Sequence, residues 1–172
     1  MKNFKTLQWI GDVNGCLHLT DQRKLPAEFI TIQCRTVEQL YSLIKTLAVR
    51  GAPAIGVAAA FGVCLAAQET ENFKLSDAVK QIEDRINYLA SSRPTAVNLF
   101  WALERMKKKL NEVIEIDNLQ KCLLAEAQKI YDEDVEMCRK IGINGERFIA
   151  DGCSILTHCN AGALATAGTG TA

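Results

Sequence analysis

Apolar and polar residues alternate along the first 35 positions of the chain, and this two-residue period predicts a small β-meander. Residues 7–10 and 16–19 carry the alternation on either side of Asn14 and Gly15, which can supply the positive φ that a hairpin turn needs. A third run, residues 28–35, alternates in the same way. We therefore expect a small antiparallel β-sheet at the amino-terminal end.

The period lengthens after residue 35, which indicates a helix. Thr36 and Gln39 have the spacing of a capping box, in which a hydroxyl and an amide bind free backbone groups at a helix start. Gly51 stands where a residue with positive φ would end this helix. The apolar positions on its expected buried face are Leu40, Leu43, Ile44 and Leu47.

A second helix is predicted over residues 54–68, after Pro53, whose missing N–H costs nothing in a first helical turn. No residue of this stretch is charged. The uncharged stretch is shorter than the roughly 20 apolar residues that span a bilayer, so we expect a buried helix at the centre of the fold. Gly56 and Gly62 would let neighbouring backbones approach it closely.

Three amphipathic patterns follow, over residues 76–90, 95–110 and 118 to about 141. A shorter helical piece is expected to end near Gly152, and residues 111–117 are expected to form a loop. These helices should pack their apolar faces on the central helix.

The pattern changes again after Gly152. Residues 154–159 have the signature of a short buried strand, and residues 160–172 are mostly small. A strand followed by a turn rich in Gly, Ala and Thr is how a parallel α/β domain opens. The predicted fold class is therefore α+β, a helical bundle with a small sheet followed by the start of an incomplete α/β domain. We expect the sequence to be a truncated piece.

The net charge of the chain makes some classes of binding partner less expected than others. The 172 residues include 20 Lys and Arg and 20 Asp and Glu, so no net charge would attract nucleic acid or an anionic membrane surface. A small molecule or another protein is the expected partner. The first ten residues carry charge and lack the apolar run of a secretory signal.

Two arginines precede predicted helix starts. Arg50 stands before Gly51 and Ala52, where backbone N–H groups, small residues and a guanidinium could bind a phosphate. A helix-ending Arg followed by an ordinary Gly-x-Pro connection explains the same pattern. Arg93 precedes Pro94 in the same way, so both arginines could clamp one phosphate, or Arg93 could be a solvated loop residue.

Seven cysteines occur without a C-x-x-C pair and with only two histidines, which favours reduced thiols in a cytoplasmic protein and supports neither a disulfide framework nor a zinc site. Cys159 ends the predicted strand, where α/β folds place ligands, and is a candidate acid, base or nucleophile. Simple burial is the alternative for a free cysteine. His158 would point to the opposite face, so we interpret it as structural, and the other cysteines as packing residues.

Three segments together are typical of a known family. They are Val49-Arg50-Gly51-Ala52-Pro53-Ala54-Ile55-Gly56, Ser92-Arg93-Pro94-Thr95-Ala96-Val97-Asn98 and Leu156-Thr157-His158-Cys159-Asn160-Ala161-Gly162. In this order and spacing the chain resembles the methylthioribose-1-phosphate isomerases over nearly its whole length. The wider superfamily includes ribose-1,5-bisphosphate isomerases and the regulatory subunits of translation initiation factor 2B.

The resemblance implies a helical amino-terminal domain with a small sheet, here residues 1–152. It also implies a Rossmann-like carboxyl-terminal domain, of which residues 153–172 would be the first strand and turn. The family's catalytic aspartate belongs to the part of that domain that the sequence lacks, so we expect the 172-residue chain to be inactive alone. For the full-length protein the resemblance implies a homodimer.

The resemblance also implies site residues and a reaction. The substrate-phosphate site would be Arg50, Gly51, Ala52 and Arg93, and the catalytic cysteine would be Cys159. The reaction would interconvert 5-methylthioribose 1-phosphate and 5-methylthioribulose 1-phosphate in methionine salvage, with neither metal nor nucleotide cofactor. Cys159 could be the base of an enolate route or could shape an apolar pocket for a hydride shift. The alternatives are a ribose-1,5-bisphosphate isomerase and a non-catalytic regulatory subunit.

Overall fold

A three-stranded antiparallel sheet forms the first part of the structure, a computed structural model that describes residues 5–172. The strands are β1 (Leu7–Ile10), β2 (Cys16–Thr20) and β3 (Thr31–Cys34), in the order β1-β2-β3. Leu17 of the middle strand pairs with Trp9 on one side and with Cys34 on the other. The meander predicted from the two-residue period is confirmed.

The β1–β2 turn is not the predicted Asn-Gly turn. The positive φ, 101°, belongs to Gly11. Asp12 accepts the backbone N–H of Asn14 through its carboxylate at 2.9 Å and that of Gly15 through its carbonyl at 3.0 Å. Because Asp side chains bind backbone groups two residues further on, Asp12 organises a longer loop over residues 11–15.

Five α-helices follow the sheet in the described part of the chain. They are α1 (Val37–Lys45), α2 (Ala52–Gln68), α3 (Leu75–Ala90), α4 (Val97–Asn111) and α5 (Ile116–Glu146). Every residue from 54 to 67 of α2 is buried, and α2 contacts each of the other four helices. The prediction of a buried central helix is therefore confirmed. Among residues 5–172, no helix has the length and apolarity that a membrane crossing requires.

The end of α1 differs from the prediction. Leu47, not Gly51, has the positive φ that follows this helix, and its side chain is 42% exposed rather than part of the buried face. The backbone N–H groups of Ala48 and Val49 turn back to the carbonyl of Leu43 at 2.9 and 3.3 Å. Gly51 also has a positive φ, 97°, but it lies immediately before α2. The chain therefore closes α1 four residues earlier than its glycine suggested.

The starts and ends of the later helices shift by a few residues. Pro94 lies in a turn before α4, closed by a 3.0 Å bond from the Ala96 N–H to the Arg93 carbonyl, rather than in the first turn of the helix. The predicted break near residue 141 is absent, because α5 continues through Gly142 and Gly145 to Glu146.

Residues 154–159 do not form the predicted strand. The segment is exposed throughout, with Leu156 at 98%, and it has no strand beside it in the described chain. A strand needs a neighbour to satisfy its backbone groups and to bury its side chains. Residues 161–171 instead fold back on themselves through a bridge between Gly162 and Gly170 and a single 3₁₀ turn, Ala163–Ala165. The assignment of residues 153–172 to a Rossmann-like domain stays a prediction.

Candidate functional site

The starts of α2 and α4 lie side by side. Gly56, one turn into α2, faces the beginning of α4 so closely that a Cβ atom there would be 2.8 Å from the carbonyl oxygen of Asn98. The first-turn N–H groups of each helix have no acceptor within their own helix, and the helix dipole makes both starts favourable for an anion. Two segments that are distant in sequence are thereby brought to one place on the surface.

A cavity of about 370 Å³ opens beside these two helix starts. Its volume lies within the range of sites for small molecules. The polar side chains that line it are Asn98 from α4 and Glu133 and Asp134 from α5. The remaining lining residues are Pro53, Gly56, Val57, Val97, Trp101, Ile130 and Met137. The cavity therefore has a mainly apolar wall and lies next to the amino-terminal ends of α2 and α4, which favour an anion.

Arg50 lies on the surface just before α2. Its Nε donates to Oε1 of Gln22 at 3.2 Å, which holds the base of the guanidinium. No carboxylate pairs with Arg50 among the residues that the structure describes. Its positive charge is thus positioned by a neutral group and left available to an anion.

Arg93 lies at the corresponding place before α4, with a partly exposed side chain. Its side chain has neither a hydrogen-bond nor an ion-pair partner within residues 5–172. In contrast, four other arginines have carboxylate partners. These are Arg23, Arg85, Arg105 and Arg139. Arg50 and Arg93 therefore share with Arg35 and Arg147 the lack of a carboxylate partner among the described residues, and they differ from those two in lying just before the adjacent starts of α2 and α4.

Gly51 is covered by a distant part of the chain. A Cβ atom on Gly51 would lie 2.4 Å from the Cα atom of Ala165, so only a glycine fits here. Ala52 is exposed at the first position of α2. The sequence suggested that position 51 is a glycine so that a ligand can come close. The structure gives a second explanation, because the Ala163–Ala165 turn packs against this position.

Cys159 is exposed and has a positive φ of 61°, just after the extended segment. No hydrogen bond joins it to either arginine in the part of the chain described. Five residues separate it from Ala165, which touches Gly51, so the length of the chain allows the Cα atom of Cys159 to lie up to about 25 Å from the start of α2. His158 is also exposed, and so are the two polar neighbours Asp151 and Asn160.

The other cysteines divide into packing residues and one exception. Cys16, Cys34, Cys64 and Cys138 are buried and Cys122 is partly buried. Burial raises the pKa of the Cys34 thiol to about 12 and raises that of Cys64 as well, so both thiols stay protonated. Cys153 is exposed, so its prediction as a packing residue was wrong. Within residues 5–172, no group of His, Cys, Asp and Glu has the arrangement of a metal site.

Three polar side chains hold the segment that follows Cys159. Thr6 Oγ1 donates to the carbonyl of Ala163 at 2.6 Å, and Gln22 Nε2 donates to that of Leu164 at 2.7 Å. Asp134 Oδ2 accepts from the backbone N–H of Ala167 at 2.6 Å. We call residues 161–171 the docked segment. The sequence pattern missed these three contacts, because nothing local marks a polar residue whose partner lies far along the chain.

Asp134 and Asp21 have opposite electrostatic environments. Asp134 is partly buried, and this burial raises its pKa although the Ala167 N–H opposes the change. Asp21 is 4% exposed, and its bonds from Arg23, at 2.8 Å from Nε and 2.7 Å from Nη2, lower its pKa. The ionised Asp21 fixes the turn that carries Gln22, whereas the carboxylate of Asp134 is maintained at an energetic cost.

Comparison with known proteins gives the class of the chain. The sequence profile of the initiation factor 2 subunit family matches residues 48–168, which is more than half of the chain. The chain therefore belongs to the initiation factor 2 subunit family. The match includes both arginines, the cavity and the docked segment up to Gly168.

The individual proteins that the sequence resembles have a more specific name than the family. The methylthioribose-1-phosphate isomerase of Thermotoga maritima is 50% identical over 168 residues, covering 98% of this chain and 47% of that protein. The protein of the same name from Rhodopirellula baltica is 45% identical over 177 residues, covering 100% of this chain and 50% of its own. The chain thus spans about half the length of the curated relatives it matches.

Two solved structures have a fold similar to that of this chain. A crystal structure of 5-methylthioribose 1-phosphate isomerase from Pyrococcus horikoshii matches with a TM-score of 0.90 and 40% identity, over 99% of this chain and 47% of that one. The delta subunit of translation initiation factor eIF-2B from A. fulgidus matches with a TM-score of 0.86 and 41% identity, over 96% and 48%. The α+β fold is therefore shared by proteins with enzymatic and with translational names.

Proposed function

We propose that this chain is the phosphate-binding part of an isomerase that converts 5-methylthioribose 1-phosphate into 5-methylthioribulose 1-phosphate in methionine salvage. One observation carries the proposal: Arg50 and Arg93, neither of which has a carboxylate partner among the described residues, precede two helices whose starts pack together. The N–H groups of Gly51 and Ala52 and the two guanidinium groups would donate hydrogen bonds to the phosphate oxygens.

The chemistry requires a ring opening followed by a hydrogen transfer. The phosphate blocks the anomeric oxygen, so an acid must protonate the ring oxygen as its bond to C1 breaks. Hydrogen then moves from C2 to C1, and the C2 hydroxyl loses its proton to become the ketone, so no external oxidant or cofactor enters the balance. Cys159 would act beside C1 and C2, either as the base or as part of the wall that excludes water.

The remaining half of a full-length protein would complete the site. We propose that residues 153–172 begin a Rossmann-like domain there and that this domain supplies the catalytic aspartate as the acid. The added strands would pair with residues 154–159, which lie exposed here. A cytoplasmic homodimer is the expected form of that protein.

Two alternatives use the same phosphate site. A ribose-1,5-bisphosphate isomerase would need a second anion site instead of an apolar pocket, and the mainly apolar lining of the 370 Å³ cavity favours the methylthio substituent. A regulatory subunit would keep the fold without chemistry, as the likeness to the eIF-2B delta subunit allows. The presence of Cys159 together with Arg50 and Arg93 favours the enzyme.

The test is a turnover assay of the full-length protein with both sugar phosphates. Arg50→Ala should raise KM for methylthioribose 1-phosphate at least tenfold, because a guanidinium to phosphate contact contributes more than 1.4 kcal/mol. Cys159→Ser should lower kcat at least a hundredfold, which is the usual scale for a lost acid or base. The 172-residue chain by itself should show no turnover.

Matched controls are available in the chain. Arg35, whose Nη2 donates only to Gln33 among the described residues, is the control for Arg50, and Cys153, a second exposed cysteine, is the control for Cys159. Arg35→Ala and Cys153→Ser should keep wild-type KM and kcat. Turnover of ribose 1,5-bisphosphate alone would support the first alternative, and turnover of neither sugar would support the second.

A further inference from the structure

The docked segment is bound on three sides through its main chain. Thr6 precedes β1, Gln22 follows β2, and Asp134 lies in the middle of α5, yet all three bind backbone atoms within residues 163–167. Two of the three side chains, Thr6 and Gln22, are 3% exposed. The segment is thus held from the sheet on one side and from the helical bundle on the other.

Asp134 is the contact on the helical side. Ala167, which donates to it, is 3% exposed, and the neighbouring Gly168 lies so close to α5 that a Cβ atom there would be 3.2 Å from the Cα atom of Val135. Asp134 also lines the cavity beside the starts of α2 and α4. One side chain therefore connects the cavity, the long helix and the chain that leads back to Cys159.

The charge of Asp134 is not explained by stability. Burial disfavours its ionised form, and its single hydrogen bond needs only an oxygen acceptor, which an asparagine also provides. The bond instead has a geometrical effect. It holds the docked segment against α5, and the contact of Ala165 with Gly51 holds the same segment against α2.

We propose that Asp134 is a positioning residue, which holds the docked segment against α5 so that Cys159 is kept at the edge of the site at the starts of α2 and α4. The inference rests on the proposed isomerase function. In this role Asp134 acts through the Ala167 N–H and not through a contact with the sugar. Without that bond, the docked segment, which follows Cys159 in the chain, keeps its anchors at Ala163 and Leu164 but loses its anchor on α5, and the thiol would then be held less firmly relative to the phosphate site.

The test compares three variants of the full-length protein by amide hydrogen exchange and by steady-state kinetics. Asp134→Ala should speed exchange of the amides in residues 161–171 at least tenfold and lower kcat at least tenfold, while KM changes less than threefold. Asp134→Asn keeps the acceptor and should restore both quantities to within threefold of wild type. Asp132→Asn is the control, because Asp132 is exposed on the same helix and, among residues 5–172, its side chain binds only Gln128.

Each outcome is decisive. Unchanged exchange in Asp134→Ala would overturn the docking role, and faster exchange with an unchanged kcat would overturn the positioning role. A low kcat in Asp134→Asn with wild-type exchange would also overturn it, because the charge would then act directly. A wild-type protein without turnover would refute the isomerase assignment instead, and the exchange data would still show whether Asp134 binds the docked segment.

Discussion

Glycines in this chain differ in how much space surrounds them. Some lie where a side chain would collide with another segment, and others have open space around them. Gly51 and Gly56 lie where the backbone of another segment leaves no space for a side chain, at Ala165 and at Asn98. At Gly142, inside α5, a Cβ atom would have no neighbour from another described segment within 4 Å. The first two therefore hold the site together, whereas the third only weakens a helix.

Alanine substitutions should separate the two groups of glycines by the sign of their effect. Gly51→Ala combines a positive φ with backbone overlap, and Gly56→Ala would force α2 and α4 apart, so each should lower the free energy of unfolding by about 1–3 kcal/mol. Gly142→Ala should raise it by up to about 1 kcal/mol, since alanine is the better helix former. Urea denaturation of the three variants measures the difference, and equal midpoints for all three would contradict it.

Single residues show where sequence reasoning is strong and where it is weak. Arg50 and Arg93 were predicted as a pair because each precedes a Pro-containing helix start, and the structure does bring those starts together. Gln22 and Asp134 were missed because their partners are backbone atoms of distant residues, and a backbone atom carries no sequence signal. The roles of Arg50, Arg93 and Cys159 stay predictions until they are assayed.

The helices and strands that form were predictable in type, but their ends were less so, and two further elements were predicted that the described residues do not form: a separate short helix ending near Gly152 and a strand over residues 154–159. Periodicity identified all three strands and the five helices, because burial of one face imposes it on the sequence. The end of α1 was misplaced, because Leu47 adopts the positive φ that Gly51 was expected to supply. The strand over residues 154–159 was predicted from its apolar residues, yet strand formation depends on neighbours that the pattern of one segment cannot reveal.

Helices α4 and α5 are joined on the outside by one arginine. Arg105 Nε donates to Glu126 at 2.6 Å, its terminal nitrogens bind Glu133, and its guanidinium lies 5.6 Å from the ring centre of Trp101. These carboxylates raise the pKa of Arg105, and its side chain is 22% exposed. Because Glu133 and Trp101 both line the cavity, this network also supports one wall of the candidate site.

Removal of this arginine should cost more than removal of an arginine paired within one helix. Arg105→Ala should lower the free energy of unfolding by about 1.5–3 kcal/mol, the range for hydrogen bonds to charged groups. Arg139→Ala is the matched control, because Arg139 pairs only with Glu136 on the same exposed face of α5, and it should change stability by less than about 0.5 kcal/mol. Thermal and urea unfolding of both variants would test this, and equal losses would refute the bridging role.

Exposed apolar residues occur in several parts of the described chain, and some of the most exposed lie in the stretch that follows α5. Phe148, Ile155 and Leu156 are 77%, 63% and 98% exposed, and all three follow α5. A stretch with several strongly exposed apolar residues is a candidate for a surface that another part of a protein covers. In the core, by contrast, Leu103 is 2% exposed.

Polar substitutions in this stretch should change surface properties and not stability. Phe148→Ser and Leu156→Ser should each reduce the binding of a hydrophobic dye to the 172-residue chain and leave its free energy of unfolding within about 0.5 kcal/mol of wild type. Leu103→Ala, the buried control, should lower that free energy by about 2–5 kcal/mol. Undiminished dye binding in the two serine variants would show that the apolar surface lies elsewhere.

The manner in which the docked segment is bound has a consequence for protein engineering. Thr6, Gln22 and Asp134 recognise only carbonyl and amide groups, which every amino acid other than proline carries. Positions 163 and 164 can therefore be randomised in a library without touching the contacts that locate them, provided that Ala165, on which Gly51 packs, is left unchanged. Side chains of other sizes and polarities can be introduced there while the hydrogen bonds that position the backbone are kept.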